Sequence, residues 1–133
     1  MRVIVWLARS AMVTFYPRSE QFPGIEDMPL DEYIARFRRE CAPIIWAGFV
    51  LGTLLFHITP LFTVFVPLPA FWLSAETRDR HAQRLAAHPI YYVRQPVFLL
   101  KMIAGLLWGA DPKVRAALGL PPYPADPGTW RKS

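Results

Sequence analysis

The chain has 133 residues, a net charge of +5 and a single cysteine, Cys41. This length allows one domain at most, and one cysteine excludes an intrachain disulfide framework. The sequence has no Cys/His cluster with metal-ligand spacing, no Gly-rich phosphate loop and no Ser/His/Asp pattern. It therefore predicts no catalytic residue and no metal site.

The positive charge is concentrated in the last part of the chain. Residues 74–133 carry nine basic and four acidic side chains, whereas residues 1–41 carry six of each. A basic segment that follows an apolar one is typical of contact with anionic lipid headgroups. Because no basic run contains interleaved aromatic side chains, we expect no nucleic-acid partner.

Residues 1–41 are predicted to form an amphipathic N-terminal arm. Residues 1–16 are a short apolar run that Arg9 interrupts too early for a signal peptide, so we expect a membrane-surface or partner-binding segment. After a turn at Pro23-Gly24, apolar residues from Leu30 onward recur at the spacing of one helix face. This second helix fits a membrane surface and a protein partner equally well.

Residues 42–73 contain no Asp, Glu, Lys or Arg, and His57 is their only titratable side chain. Since about 20 apolar residues cross a bilayer, the stretch predicts a membrane-embedded segment. We favour one transmembrane helix from residue 43 to 66, kinked at Pro60. The alternative is a re-entrant helical hairpin with arms at 43–58 and 61–73. Gly48 and Gly52, one turn apart, predict a contact with another helix.

Residues 74–110 are predicted to form a polar helix capped by Ser74 and then an apolar helix over 96–110, which is too short to span. This second helix is expected to lie in the membrane interface or against a partner protein. Six side chains are candidates for the membrane interface: Trp72, Tyr91, Tyr92, Arg94, Lys101 and Trp108. Residues 111–133 predict a short helix, opened by Asp111, and an extended proline-rich tail.

His57 is the one candidate for cofactor binding, because an ionisable group in a membrane segment suggests a function. It could ligate a haem, for which Met102 is the only candidate second ligand, or lie beside a quinone. The alternative is a neutral His57 that donates a hydrogen bond to a backbone carbonyl freed by Pro60. His81 and His88 are expected to lie in solvent or at the lipid headgroups.

Several stretches resemble the small membrane-associated companion subunits of bacterial GMC-type flavoprotein oxidoreductases. The similar stretches are FPGIEDMPLDEYIARFRRE, LFHITPLFTVFVPLPAF, VFLLKMIAGLLWG, DPKVRAALGLPPYP and DPGTW, which together cover most of the chain. The resemblance implies a larger partner that holds FAD and oxidises an alcohol or similar substrate, while the small chain anchors it. It carries no catalytic residue over to this sequence.

The predicted fold is therefore mostly α, with a membrane-embedded segment, interfacial helices and a proline-rich tail. The predicted function is a non-catalytic accessory subunit that docks and stabilises a larger, FAD-dependent oxidoreductase at the bacterial inner membrane, with membrane lipids as a second partner. One alternative is an electron-transfer subunit that uses His57 with haem or quinone. The other is a stand-alone membrane-surface protein.

Overall fold

A computed structural model describes residues 2–124, so residues 125–133, which belong to the predicted proline-rich tail, lie outside the described part. The described residues are mostly helical and contain no strand, which confirms the predicted mostly α class. Two short 3₁₀ turns lie at Ile25–Asp27 and Ala70–Trp72. The seven α-helices are α1 Arg2–Phe15, α2 Leu30–Glu40, α3 Pro43–Ile58, α4 Pro60–Thr63, α5 Ala75–Ala86, α6 Tyr91–Ala110 and α7 Pro112–Ala117.

The prediction of one continuous helix from residue 43 to 66 is wrong. Helix α3 ends at Ile58, a short α4 follows, and irregular chain with one 3₁₀ turn completes the segment to residue 73. The first arm of the alternative hairpin exists as α3, but the second arm, 61–73, is not one helix. Within residues 2–124, no helix combines the length and the apolar character that a membrane crossing requires.

The break between α3 and α4 follows from Pro60, which has no backbone N–H to donate to the carbonyl of Phe56. Thr59 leaves the helical conformation, with φ −100° and ψ 6°. Because of this break, Phe56 O needs a donor from outside its own helix.

The core is built around α3, which packs most extensively against α6 and next against α1. On α1, the side chains of Ala8, Ala11 and Met12 are completely buried. Helix α1 therefore contributes one face to the core, while Val3 and Trp6 on the same helix are exposed. Part of the apolar surface of α3 is buried against α6 and α1, and this burial explains how a helix without charged residues can belong to a helical bundle.

The predicted helix caps are confirmed, whereas one helix start is not. Ser74 Oγ accepts a hydrogen bond from the N–H of Thr77 at 3.2 Å, and Asp111 Oδ1 accepts from the N–H of Lys113 at 2.9 Å. Helix α6 begins at Tyr91, five residues before the predicted start, and Pro96 lies inside it. Pro96 is the sixth residue of the helix, so its missing N–H removes the one hydrogen bond that this residue would make to the carbonyl of Tyr92.

Candidate functional site

His57 occupies the last turn of α3 and is only 2% exposed. Its Nε2 lies 2.7 Å from the carbonyl oxygen of Leu7 on α1. A carbonyl can only accept, so Nε2 carries the proton and Nδ1 is a bare acceptor. The prediction of a bond to the carbonyl freed by Pro60 is therefore wrong, because His57 bonds to a carbonyl of a different helix.

The second nitrogen of His57 is buried without a partner. Among residues 2–124, no donor lies within hydrogen-bond distance of Nδ1. The imidazole ring contacts Phe56 and Phe71, with ring centroids 5.2 and 5.5 Å away. A buried polar atom without a partner in the protein is rare.

The surroundings of His57 keep its imidazole neutral. Burial lowers the pKa of His57, and the charges of Arg78 and His81 act in the same direction, while the hydrogen bond to Leu7 opposes them. Because the ordinary pKa of histidine is about 6.5, a lowered value leaves the ring uncharged at pH 7. Nδ1 therefore carries no proton at pH 7.

A cavity of about 340 Å³ borders His57. Its other lining residues have apolar side chains: Ile58, Leu61 and residues 66–69, which include two prolines. His57 is the one titratable residue of this lining, and its Nδ1 is shielded from solvent.

His81, which sequence analysis placed in solvent or at the headgroups, is completely buried. Its Nε2 donates to the carbonyl of Phe56 at 2.6 Å, and its Nδ1 accepts from the hydroxyl of Thr63. His81 thus supplies the donor that Pro60 cannot. Burial lowers the pKa of His81 as well, with the bond to Phe56 opposing the shift.

Two arginines of α5 donate hydrogen bonds to main-chain carbonyls on either side of residues 66–69, which line the cavity. Arg78 donates from Nε to Ala70 O at 3.0 Å and from Nη2 to Leu73 O at 2.8 Å. Arg84 donates to the carbonyl of Thr63. These side chains, which the sequence assigned to the basic flank of a membrane segment, fix the irregular backbone between α4 and α5.

Gly48 and Gly52 lie where α3 meets α6. A Cβ atom at Gly52 would stand 2.2 Å from the carbonyl oxygen of Pro96, and one at Gly48 would stand 2.9 Å from Cδ2 of Leu99. The order of these pairs makes α3 and α6 antiparallel. The predicted helix contact of these glycines is thus a contact between α3 and α6 of the same chain. Of the two glycines, Gly52 is the one that lies against the backbone of α6.

The six predicted interface residues have different environments. Trp72, Tyr91 and Tyr92 are 67%, 58% and 82% exposed. Lys101 is exposed and its Nζ lies 5.9 Å from the ring centroid of Phe15. Arg94 is half-buried and donates to His88 O, and Trp108 stacks on Tyr16 and donates to Pro23 O at 3.1 Å.

The antiparallel register separates His57 from Met102, the candidate second haem ligand. Gly48, the neighbour of Leu99, lies nine residues before His57, or roughly 13 Å along the helix. Met102 lies beyond Leu99, still farther from His57. Among the described residues 2–124, no group of three or more His, Cys, Asp or Glu side chains could hold a metal ion. The structure therefore does not bring His57 and Met102 together.

Comparisons with protein-family models, with curated proteins and with solved structures find no match to this chain. The resemblance to companion subunits of flavoprotein oxidoreductases therefore stays a prediction.

Proposed function

We propose that this chain is a non-catalytic accessory subunit that docks and stabilises a larger, FAD-dependent oxidoreductase at a membrane surface. The observation that carries the proposal is an exposed apolar surface without charged side chains, which we call the uncharged surface. It consists of Ile58, Leu61, Phe62, Phe65, Leu68 and Trp72. The membrane is the bacterial inner membrane in this proposal.

The uncharged surface is too apolar for ordinary contact with water. Phe62 and Phe65 are 74% and 79% exposed, and Ile58 and Trp72 are both 67% exposed. Ile58, Leu61 and Leu68 line one cavity, so these residues are neighbours in space. Exposed large apolar side chains, grouped as these three are, are typical of membrane or protein contact. A protein can lie in the membrane interface by such a surface without a crossing helix.

Phe65 adds a backbone argument. It has a positive φ of 59°, a conformation that costs a non-glycine residue about 1–2 kcal/mol. No buried contact of the ring offsets this strain, because the ring is exposed. An exposed aromatic side chain held in a strained conformation favours a functional use of that ring.

A basic side chain accompanies the uncharged surface. The ring of Trp6 on α1 packs on Phe71 at 5.2 Å, beside Trp72. Arg2 is exposed and lies four residues before Trp6, on the same face of α1. A cation next to exposed aromatic rings suits the headgroup layer of an anionic membrane.

A second exposed stripe, on α6, is the proposed docking surface for the oxidoreductase. It consists of Tyr91, Phe98, Met102 and Leu106, with exposed fractions between 45% and 63%. Their spacing places them along one side of the helix. Aromatic residues and Met are enriched in protein–protein interfaces, and Lys101 supplies a charge beside the stripe. The identity of the partner rests on the family resemblance.

Vesicle flotation tests the membrane contact, with phosphatidylcholine and phosphatidylglycerol vesicles. We expect Phe62→Gln and Phe65→Gly to lose most of the vesicle binding of the wild-type chain. Phe65→Gly should also unfold no more easily than wild type, because glycine relieves the positive φ. Wild type that stays with the soluble fraction, or a Phe65→Gly variant that floats unchanged, would contradict the membrane contact.

Purification in mild detergent tests the partner contact. We expect a larger FAD-containing protein to co-purify in stoichiometric amount with wild type and with Phe65→Gly. The matched double variant Phe98→Gln and Met102→Gln should bind vesicles normally and lose that partner. If vesicles bind but no stoichiometric partner co-purifies from the native host, the chain is a stand-alone membrane-surface protein.

A further inference from the structure

Helix α3 carries no Asp, Glu, Lys or Arg on any side, yet only one of its sides is buried. Phe49, Thr53 and Phe56 lie on the buried side, and the helix packs against α6 and α1. A helix that is hydrophobic all round is normally enclosed by protein or by lipid. The opposite side of α3 is open, and we call it the outer face. It consists of Ile44, Ala47, Leu51, Leu54 and Ile58.

The outer face is one continuous apolar stripe. Its members follow one another at alternating spacings of three and four residues, which keeps them on one side of the helix over about 21 Å. The exposed fractions of its four large side chains range from 39% at Leu54 to 76% at Ile44. Ile58 also belongs to the uncharged surface, so the two apolar surfaces meet at the end of α3.

We propose that α3 lies in the plane of an anionic membrane interface, with its outer face among the acyl chains of the lipid. The proposal rests on the membrane contact of the proposed function, which it extends from the uncharged surface along the whole of α3. A helix in the interface plane buries one apolar side in lipid and turns the other away from it. Here the rest of the bundle covers that second side.

The distribution of charge favours an anionic membrane as the occupant. Residues 42–73 contain no acidic or basic side chain apart from a neutral histidine. Exposed basic residues stand beyond both ends of the apolar surface: Arg38 and Arg39 of α2 precede α3, and Arg2 lies on the helix face that packs beside Trp72. An apolar stretch with cations at its ends complements acyl chains below anionic headgroups.

The basic end of α2 is attached to α3. Cζ of Arg38 lies 5.5 Å from the ring centroid of Trp46, in the first turns of α3. The nearest acidic residue in the sequence, Glu40, accepts a hydrogen bond from Arg36 at 3.1 Å. Residues 36–40 carry three arginines and one glutamate, so this end of the outer face has a net positive charge.

A second copy of the chain is the competing occupant, because spacings of three and four residues also occur where two helices pair. In such pairs, charged residues beside the apolar stripe set the partner and its orientation. The residues beside the outer face include Gly48, Val50 and Leu55, none of which carries a charge. Lipid needs no such residues, and the flanks of the outer face therefore favour lipid.

Nitroxide labels on the full chain test the proposal, with vesicles of phosphatidylcholine and phosphatidylglycerol. Single labels are attached at Leu51→Cys on the outer face, Phe62→Cys on the uncharged surface and Gln83→Cys on α5, each in a Cys41→Ser background. Collisions with oxygen, which concentrates among acyl chains, are compared with collisions with a water-soluble nickel chelate. We expect the labels at 51 and 62 to collide mainly with oxygen, and the control label at 83 with nickel.

The three labels distinguish failure of this proposal from failure of the proposed function. If the label at 62 enters lipid while the label at 51 collides with nickel, α3 does not lie on the membrane, although the membrane contact of the uncharged surface stands. If both labels collide with nickel, that membrane contact fails as well. A label at 51 that is shielded from both reagents, with dipolar broadening between singly labelled chains, would identify a second copy as the occupant and overturn the proposal.

Two arginine variants test the headgroup contact separately. Arg38→Gln and Arg39→Gln should each bind phosphatidylglycerol vesicles about fivefold more weakly and bind phosphatidylcholine vesicles as wild type does. Arg80→Gln, at an exposed position of α5, is the matched control and should bind both as wild type does. Unchanged binding of both α2 variants to phosphatidylglycerol vesicles would contradict the anionic interface.

Discussion

His57 and His81 are both buried, and each donates through Nε2 to a main-chain carbonyl, but their second nitrogens differ. In His81, Nδ1 accepts from Thr63, so both ring nitrogens are bonded and the side chain is a closed link between α3, α4 and α5. In His57, Nδ1 has no partner within residues 2–124. Both histidines link helices, but His81 does so through both ring nitrogens and His57 through Nε2 alone.

Among the substitutions that test this difference between the two histidines, we expect His81→Phe to have the largest effect on the free energy of unfolding. Phe56 O would lose its donor and the Thr63 hydroxyl its acceptor, both in buried positions. We expect the free energy of unfolding to fall by about 2–4 kcal/mol, measured by chemical denaturation in mild detergent. His81→Gln, which retains a donor near Phe56 O, should lose less. A loss below about 1 kcal/mol in His81→Phe would show that the link is not structural.

A second prediction concerns α3, which carries His57 and accepts the hydrogen bond of His81 at Phe56 O. Gly52→Ala places a methyl group against the carbonyl of Pro96, a backbone atom that cannot move without shifting α6. We expect a destabilisation of about 1–3 kcal/mol, measured by thermal or chemical unfolding.

Two other glycines are matched controls for Gly52→Ala. Gly48→Ala meets only the flexible end of Leu99 and should cost less. Gly109→Ala meets nothing within 4 Å and should be neutral or stabilising by about 0.5–1 kcal/mol. If Gly48→Ala and Gly52→Ala cost the same, the close approach at Pro96 is not the determinant.

A third prediction concerns pH. The pKa values of both histidines are lowered in the folded protein, so the unfolded chain binds protons more readily. The stabilisation is complete above the unfolded pKa of about 6.5 and is lost as the pH falls from there through the folded values. Unfolding curves between pH 5 and 8 should therefore show falling stability toward pH 5. His57→Gln should reduce that slope, and an unchanged slope would exclude His57 as a contributor.

The smallest effect is expected for His57→Gln at pH 7.5. Glutamine can still donate to Leu7 O through its amide nitrogen, and Nδ1, which the substitution replaces, has no partner among residues 2–124. We expect a change in the free energy of unfolding of less than about 1 kcal/mol, measured beside His81→Gln under identical conditions. A loss as large as that of His81→Phe would mean that His57 is also a closed structural link.

Much of the helical pattern could be predicted because its signals are local. Ser74 and Asp111 mark helix starts by their own side-chain hydrogen bonds, and Pro60 marks an interruption by its missing N–H. The helix predicted over residues 43–66 is longer than α3, because a run of apolar residues looks the same in the sequence whether it faces lipid or other helices. Only the packing of α3 against α6 and α1 distinguishes the two cases.

The site could be predicted only in part. Sequence analysis identified His57 as the unusual residue and recognised that Pro60 frees a carbonyl. It could not assign the donor, because His81 lies 25 residues from Phe56 and Leu7 lies 50 residues from His57 in the chain. Such pairings depend on the tertiary arrangement of α1, α3 and α5, and no spacing rule encodes them.

Pro60 also controls how far the apolar chain can reach. With alanine at this position, residue 60 would regain an N–H for Phe56 O, and α3 and α4 could join into one helix over 43–63. Those 21 residues would measure about 31 Å, close to the thickness of a bilayer core. The proline ring at residue 60 therefore limits α3 to the length of a bundle helix and prevents a helix long enough to span a membrane. Pro60→Ala would remove the structural need for His81 and create a competing topology.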